Sequence, residues 1–261
     1  FTIVYSGFVN GDDPSSIDAP PIASTSATIT SDVGIYSISL AGGIDDNYDF
    51  SYVNGTLTIE KATAIVNIDD NNFTYDGFSK TATFNTSPPG LSLILTYDGS
   101  STNPTDAGIY SVLGTIDELN YEGIGTGTLT INKAMALVSI SNLYQNFDGS
   151  PKPVTVTTNP AGLANDVTYN GSSTVPSARG SYTVVATINE TNYEGSNTET
   201  LIINGAPATS GISDINVQED ASNTTINLFN AFSDLEDADN ELIYSITANT
   251  NSGLFVQTLI S

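Results

Sequence analysis

The chain has 261 residues, and its 29 Asp and Glu against 5 Lys and Arg give a formal net charge of −24. That charge argues against nucleic acid and anionic membranes as partners, because both require basic patches that displace counterions. The chain contains no His and no Cys, which removes the commonest catalytic side chains and any disulfide framework.

Residues 1–60 predict short β-strands separated by turns. Alternating or apolar runs occur at residues 1–5, 27–30, 36–40 and 52–59, and segments rich in Gly, Asp, Ser and Pro lie between them. Compared with the units that follow, this one lacks its first strands. We therefore expect residues 1–60 to be a partial β-sandwich, and the chain to be an internal piece of a longer protein.

Two units with the same landmarks come next. Lys61 recurs as Lys133, an offset of 133 − 61 = 72 residues, and the later landmarks recur at that offset without a gap. A period of this length exceeds that of stacked solenoid repeats, so each copy is predicted to be a self-standing domain, with boundaries at residues 61–132 and 133–205. Each of the two Lys is expected either to meet acids of the preceding unit or to lie exposed.

Within one copy, five segments have strand character and are separated by Gly, Asn, Asp or Pro. No helical periodicity is present. The predicted strands are residues 64–68, 81–85, 91–97, 110–116 and 125–131.

A glycine followed two residues later by tyrosine marks the entry to a predicted buried strand in every unit. The tyrosines are Tyr36, Tyr110 and Tyr182. In immunoglobulin-like sandwiches such a Tyr hydrogen-bonds to upstream backbone, and the residue two places on points into the core. The chain is therefore predicted to be all-β, with tandem immunoglobulin-like β-sandwich domains in an extended array.

After residue 205 the pattern changes, and strands are predicted at residues 212–220 and 242–246. An acidic loop lies between them, and hard cations such as Ca²⁺ prefer clustered oxygen ligands of this kind. Two interpretations stay open: a weak Ca²⁺ site that stiffens the junction, or a solvated turn. The candidate metal ligands are Glu219, Asp220, Asp234, Glu236, Asp237 and Asp239.

Tyr121 and Tyr193 recur beside predicted hairpin tips, where their rings could stack on sugars. The alternative is that each ring packs against its own hairpin. Adjacent acids such as Asp117 and Glu118 do not suggest a glycosidase pair, because neighbours in a strand point to opposite faces and loop acids bond to local backbone. We expect no catalytic residues and no enzymatic activity.

Five motifs of the two complete units occur together in a known kind of repeat. They are Tyr75-Asp76-Gly77, Pro160-Ala161-Gly162-Leu163, Tyr169-Asn170-Gly171-Ser172-Ser173, Gly180-Ser181-Tyr182-Thr183-Val184 and Asn192-Tyr193-Glu194-Gly195. With these motifs the units resemble the MBG/YDG-type repeats of very large bacterial surface proteins, notably in the Bacteroidota. Residues 1–60 are similar to a related subtype, through Asn54-Gly55-Thr56-Leu57-Thr58-Ile59. Residues 206–261 resemble the N-terminal part of a bacterial cadherin-like repeat, through Glu219-Asp220 and the acidic loop.

The resemblance implies a non-catalytic repeat region of a secreted bacterial cell-surface adhesin or filament. Such a region acts as an extended stalk or spacer in surface adhesion or gliding, on the outside of the cell. The expected partners are other domains of the same long chain, surface polysaccharide or other copies of the protein. No membrane insertion is expected, since no apolar run is long enough to span a bilayer. The alternative function is a glycan-binding β-sandwich module of a secreted protein.

Overall fold

In the computed structural model the chain divides into two compact units, one of residues 1–132 and one that begins at Lys133. The structure describes residues 1–222, 224–226, 228, 231–238 and 241–244. Within those residues there is no α-helix, and none that is long and apolar enough to cross a membrane. The predicted all-β fold with tandem immunoglobulin-like β-sandwich domains is confirmed.

The first domain (residues 1–60) has one three-stranded antiparallel sheet. A short 3₁₀ helix precedes it, and β2 is the central strand, with β1 and β3 on either side. In this register Tyr36 lies opposite Leu57. The elements are the 3₁₀ helix Pro14–Ser16, β1 Ile22–Thr25, β2 Gly34–Ala41 and β3 Gly55–Ile59.

Two predicted strands of this domain are wrong. Residues 1–5 are not in a strand, and the segment predicted at residues 27–30 is a turn. The Ser31 N–H donates to the Thr28 carbonyl at 3.2 Å, and the Ser31 hydroxyl accepts from the Thr28 N–H at 2.8 Å. Hydroxyl side chains of this kind compete with a sheet for the backbone, so apolar alternation alone does not make the strand.

The second domain (residues 61–132) has two sheets. A four-stranded sheet has the order β6-β11-β9-β8, with β6 parallel to β11, and an antiparallel pair, β5 and β7, forms the other sheet. The short strands β4 and β10 pair in parallel. The strands are β4 Ala62–Thr63, β5 Ile65–Ile68, β6 Asn71–Thr74, β7 Phe84–Ser87, β8 Leu93–Tyr97, β9 Gly108–Ile116, β10 Tyr121–Glu122 and β11 Ile124–Asn132.

The third domain (residues 133–205) repeats this topology. Its four-stranded sheet has the order β14-β19-β17-β16, β13 pairs with β15, and β12 pairs with β18. The strands are β12 Ala134–Met135, β13 Leu137–Ser141, β14 Tyr144–Asn146, β15 Thr155–Asn159, β16 Asn165–Tyr169, β17 Gly180–Ile188, β18 Tyr193–Glu194 and β19 Ser196–Asn204.

The described part of the C-terminal segment (residues 206–261) contains one antiparallel pair, β20 Ala208–Thr209 and β21 Phe232–Ser233. The strand predicted at residues 212–220 is wrong, because those residues are exposed and form no strand. Of the strand predicted at residues 242–246, the first three residues are not in a strand, and the last two lie outside the described residues.

The tyrosine corner predicted in every domain is present. The hydroxyl of Tyr36 donates to the Asp32 carbonyl at 2.7 Å. The hydroxyls of Tyr110 and Tyr182 donate to the carbonyls four residues upstream, each at 2.9 Å. Each bond fixes the backbone that precedes an inner strand of its sheet.

The two complete domains bury the same positions. The residue two places after the corner tyrosine is Val112 in one domain and Val184 in the other, with exposed fractions of 1% and 0%. Leu129 and Leu201, on the neighbouring strands, are both 0% exposed. In the first domain the sheet residues are at best half-buried, because residues 1–60 supply no second sheet to cover them.

Candidate functional site

Three of the predicted metal ligands lie together in the acidic loop. The Asp234 carboxylate accepts from the backbone N–H groups of Glu236 at 2.9 Å and of Asp237 at 3.2 Å. The Glu236 N–H lowers the pKa of Asp234, so this carboxyl is ionised at neutral pH. One oxygen each of Asp234 and Glu236 is buried and has no hydrogen-bond partner among the described residues.

The other predicted ligands are not brought into this group. Glu219 and Asp220 lie in an exposed turn, and Asp239 lies outside the described residues. In the part of the chain that the structure describes, no three acidic side chains are close enough to hold a metal. A Ca²⁺ site therefore stays a prediction.

The two candidate sugar-binding tyrosines are packed against their own domains. Tyr121 is half-buried against the cluster formed by Ala64, Val66 and Ile116. Tyr193 is half-buried against the core of the third domain. This placement agrees with the packing interpretation of both rings, and sugar binding by them stays a prediction.

All five Lys and Arg side chains bind within the compact unit that contains them. Lys61 donates to the Glu118 carbonyl at 2.7 Å and Lys133 to the Glu190 carbonyl at 2.6 Å, so each Lys binds a hairpin of its own domain. The other three form the pairs Lys80 with Asp76, Lys152 with Asp148, and Arg179 with the Ala206 carbonyl.

The two lysine–aspartate pairs lie in equivalent turns, 72 residues apart. The hydrogen bond from Lys80 lowers the pKa of Asp76, and the bond from Lys152 lowers the pKa of Asp148. Each pair fixes an Asp-Gly turn, which lies between β6 and β7 in the second domain and between β14 and β15 in the third.

The chain enters and leaves each complete domain at opposite ends. In the second domain, β4 pairs with β10, which lies just before the start of β11, and the domain ends at Asn132, the last residue of β11. Nine residues of strand at about 3.3 Å each separate entry from exit by about 30 Å. The third domain repeats this path, from β12 beside β18 to the end of β19.

One side chain joins the first domain to the second. Asn120, in the hairpin between β9 and β10, accepts through Oδ1 from the Val33 N–H at 2.8 Å. Its Nδ2 donates to Oδ1 of Asp32 at 2.7 Å. Both partners belong to the tyrosine corner of the first domain, so a single amide makes two hydrogen bonds across the junction.

Comparison with family models finds three MBG domains along the chain. Models of the MBG domain match residues 64–135 and 136–207, and a model of the YGX type of MBG domain matches residues 1–58. The chain belongs to the MBG domain family. No curated protein matches the chain.

Eleven chains of solved structures match the MBG chain. One of them is described as Sidekick-1 immunoglobulin domains 1-5, with 15% sequence identity and a TM-score of 0.27. The alignment covers 71% of the MBG chain and 50% of that chain, so the MBG chain spans about half the length of that structure. A TM-score of this size supports no argument about function.

Sequence reasoning missed two features of these MBG domains. The first is Asn120, which looks like an ordinary turn residue and whose partners lie 87 and 88 positions away. The second is a further tyrosine bond, in which the Tyr97 hydroxyl accepts from the Ala82 N–H at 3.0 Å and the Tyr169 hydroxyl accepts from the Val154 N–H at 3.2 Å. The recurrence of both tyrosines at the 72-residue offset was the available signal.

Proposed function

We propose that this chain is a non-catalytic repeat region of a secreted bacterial surface protein, and that it acts as an extended spacer. The observation that carries the proposal is the path of the chain through each complete MBG domain, which enters at one end of a nine-residue strand and leaves at the other. A domain with this path adds length wherever it is inserted. The half-buried Tyr121 and Tyr193 favour this function over a glycan-binding module.

The surrounding context is part of the same proposal. MBG domains occur in extracellular surface proteins, and the resemblance noted above extends this to large adhesins of the Bacteroidota, with a cadherin-like domain after residue 205. The strong negative charge suits a display region, because it keeps neighbouring copies soluble and apart. Adhesion and gliding would then depend on domains that the spacer holds away from the cell.

Deletion of one complete domain tests the spacer function. Removal of residues 61–132 takes out one 72-residue repeat and brings Lys133 to the place of Lys61. We expect the maximum dimension from small-angle X-ray scattering to fall by about 30 Å, the length of one nine-residue strand.

A compact arrangement gives a different result. For a globule, the loss of 72 residues would reduce the radius of gyration by only about 2 Å and the maximum dimension by about 5 Å, and that outcome would contradict the spacer function. Scattering of the full chain and of the deletion variant should be measured at low and at high salt. Self-repulsion of the negative chain extends over a Debye length of about 8 Å at physiological salt and changes the scattering of concentrated samples.

Calcium binding at the acidic loop is a separate part of the proposal. The lowered pKa of Asp234 and the two buried carboxylate oxygens without hydrogen-bond partners among the described residues support it, because Ca²⁺ prefers carboxylate oxygens and offsets their charge. We expect calorimetric titration of the whole chain to give a dissociation constant of about 0.1 to 1 mM. Asp234→Asn is expected to weaken binding about tenfold, since it removes a charged ligand.

The matched control for this titration is Asp214→Asn. Asp214 is an exposed acid of the same C-terminal segment and has no part in the loop, so its replacement changes net charge equally. Equal affinities of the two variants would identify the binding as general attraction to a negative surface. In that case the loop is a solvated turn.

A further inference from the structure

The junction between the first two MBG domains is built from groups that are fixed on both sides. On the first domain, the Tyr36 hydroxyl holds the Asp32 carbonyl at 2.7 Å, which orients the Asp32-Val33 pair. That pair presents one donor, the Val33 N–H, and one acceptor, the Asp32 carboxylate. The Asn120 amide is complementary to it, since it offers one acceptor and one donor.

The hairpin that carries Asn120 is braced by its own domain. Its Glu118 carbonyl accepts from Lys61, and the Glu118 carboxylate accepts from the Ser92 N–H at 2.9 Å. The Asn120 carbonyl accepts from the Ala62 N–H at 2.9 Å. The amide therefore reaches the first domain from a rigid support. Such a support is needed if the two bonds are to fix the direction of one domain relative to the other.

The third domain has a different pair at the equivalent place. Ala178 and Arg179 precede Tyr182, whereas Asp106 precedes Tyr110 by the same four residues. Ala178 has no carboxylate to accept from an asparagine. The Arg179 guanidinium donates instead to the Ala206 carbonyl at 2.8 Å, at the end of the residues that the MBG model matches.

We propose that the residues four and three positions before each corner tyrosine form a docking surface, and that this surface selects the following domain. An Asp-X pair binds the hairpin asparagine of another MBG domain and fixes its direction. An Ala-Arg pair keeps the backbone N–H but has no carboxylate, so it makes at most one of the two bonds and holds a following MBG domain less firmly. This inference deepens the proposed spacer function and rests on it.

Distance measurement across the junction tests the docking surface. The chain has no Cys, so Ser26→Cys and Ser101→Cys, both at exposed positions, give two unique spin-label sites, one on each domain. Pulsed electron paramagnetic resonance on the full chain should give a narrow distance distribution. Asn120→Ala removes both bonds and is expected to broaden the distribution about twofold or more, since domains without a fixed interface move.

The matched control is Asn85→Ala. Asn85 is an exposed asparagine of the same domain whose side chain accepts from Asn67 at 3.0 Å, within that domain. Loss of the Asn85 side-chain amide should leave the spin-label distance distribution unchanged. Circular dichroism of every variant confirms that the sheets are still folded, so that a broader distribution reports on the junction alone.

A charge swap gives the sharpest test. N120D places two carboxylates opposite each other and should broaden the distribution at least as much as Asn120→Ala. Adding D32N should narrow it again, because an amide donor then faces a carboxylate acceptor across the same junction. No broadening in Asn120→Ala, or no recovery in the D32N/N120D double variant, would overturn the docking role of Asn120.

The selection step has its own test. The double variant D32A/V33R gives the first corner the pair found in the third domain, and a distribution broader than that of the unchanged chain is expected, because the bond from Asn120 to the Asp32 carboxylate is lost. A narrow distribution would show that the pair does not select the successor. Because this experiment reports only on the junction, its failure leaves the length change on domain deletion, and hence the spacer function, untouched.

Discussion

Replacement of Leu201 with alanine is expected to lower the free energy of unfolding of the third domain by about 3 to 5 kcal/mol. Leu201 lies on β19 opposite Tyr182, and its side chain is 0% exposed. Val184 and Ile203, both also 0% exposed, belong to the same cluster. Two sheets fix the walls of this site, so the space left by three lost carbons cannot collapse.

The first domain supplies the matched control. Leu57 faces Tyr36 on the neighbouring strand just as Leu201 faces Tyr182, but Leu57 is only half-buried. Leu57→Ala should therefore cost about 1 kcal/mol, because little surface is transferred to water and no closed cavity forms. Hydrogen exchange read by mass spectrometry at rising urea concentration measures each domain separately. Equal losses in the two domains would contradict the assigned difference in packing.

The elements that the sequence predicted well are those set by local pattern. The tyrosine corners at Tyr36, Tyr110 and Tyr182 follow from a glycine and a tyrosine two residues apart, and their partners are only four residues away. The two complete domains follow from the 72-residue offset. Most of the predicted strands of the second domain overlap observed ones, although the strand predicted at residues 81–85 is Phe84–Ser87.

The features that the sequence did not predict depend on distant partners. The run at residues 1–5 alternates like a strand but pairs with no strand among the described residues. Lys61 and Lys133 were expected to meet acids of the preceding unit or to lie exposed, yet each donates to a backbone carbonyl 57 residues away in its own domain. The sequence does not show which backbone carbonyls accept these bonds, because every residue has a backbone carbonyl. The junction formed by Asn120 was missed for the same reason, since one of its partners is a backbone N–H.

Replacement of Gly123 with alanine is expected to destabilise the second domain by about 3 kcal/mol, at the upper end of the cost of overpacking. A Cβ on Gly123 would overlap the carbonyl oxygen of Ala64. That carbonyl cannot retreat, because the Ala64 N–H donates to the Glu122 carbonyl at 2.8 Å and holds the two segments together. The third domain repeats the arrangement, with Gly195 against the Ala136 carbonyl.

Gly55→Ala separates this steric effect from the general effect of replacing glycine. Gly55 also lies in a strand, and the atom nearest to a Cβ there is the Ile38 Cβ at 3.6 Å, an ordinary van der Waals distance. Its replacement should change stability by less than about 1 kcal/mol, in the stabilising direction, because alanine loses less backbone entropy on folding. Urea-dependent hydrogen exchange of both variants measures the change in the free energy of unfolding that each replacement causes. A similarly small effect of Gly123→Ala would mean that β4 and Ala64 can move away from Gly123. The support that the Ala62 N–H gives to the Asn120 hairpin would then not be rigid.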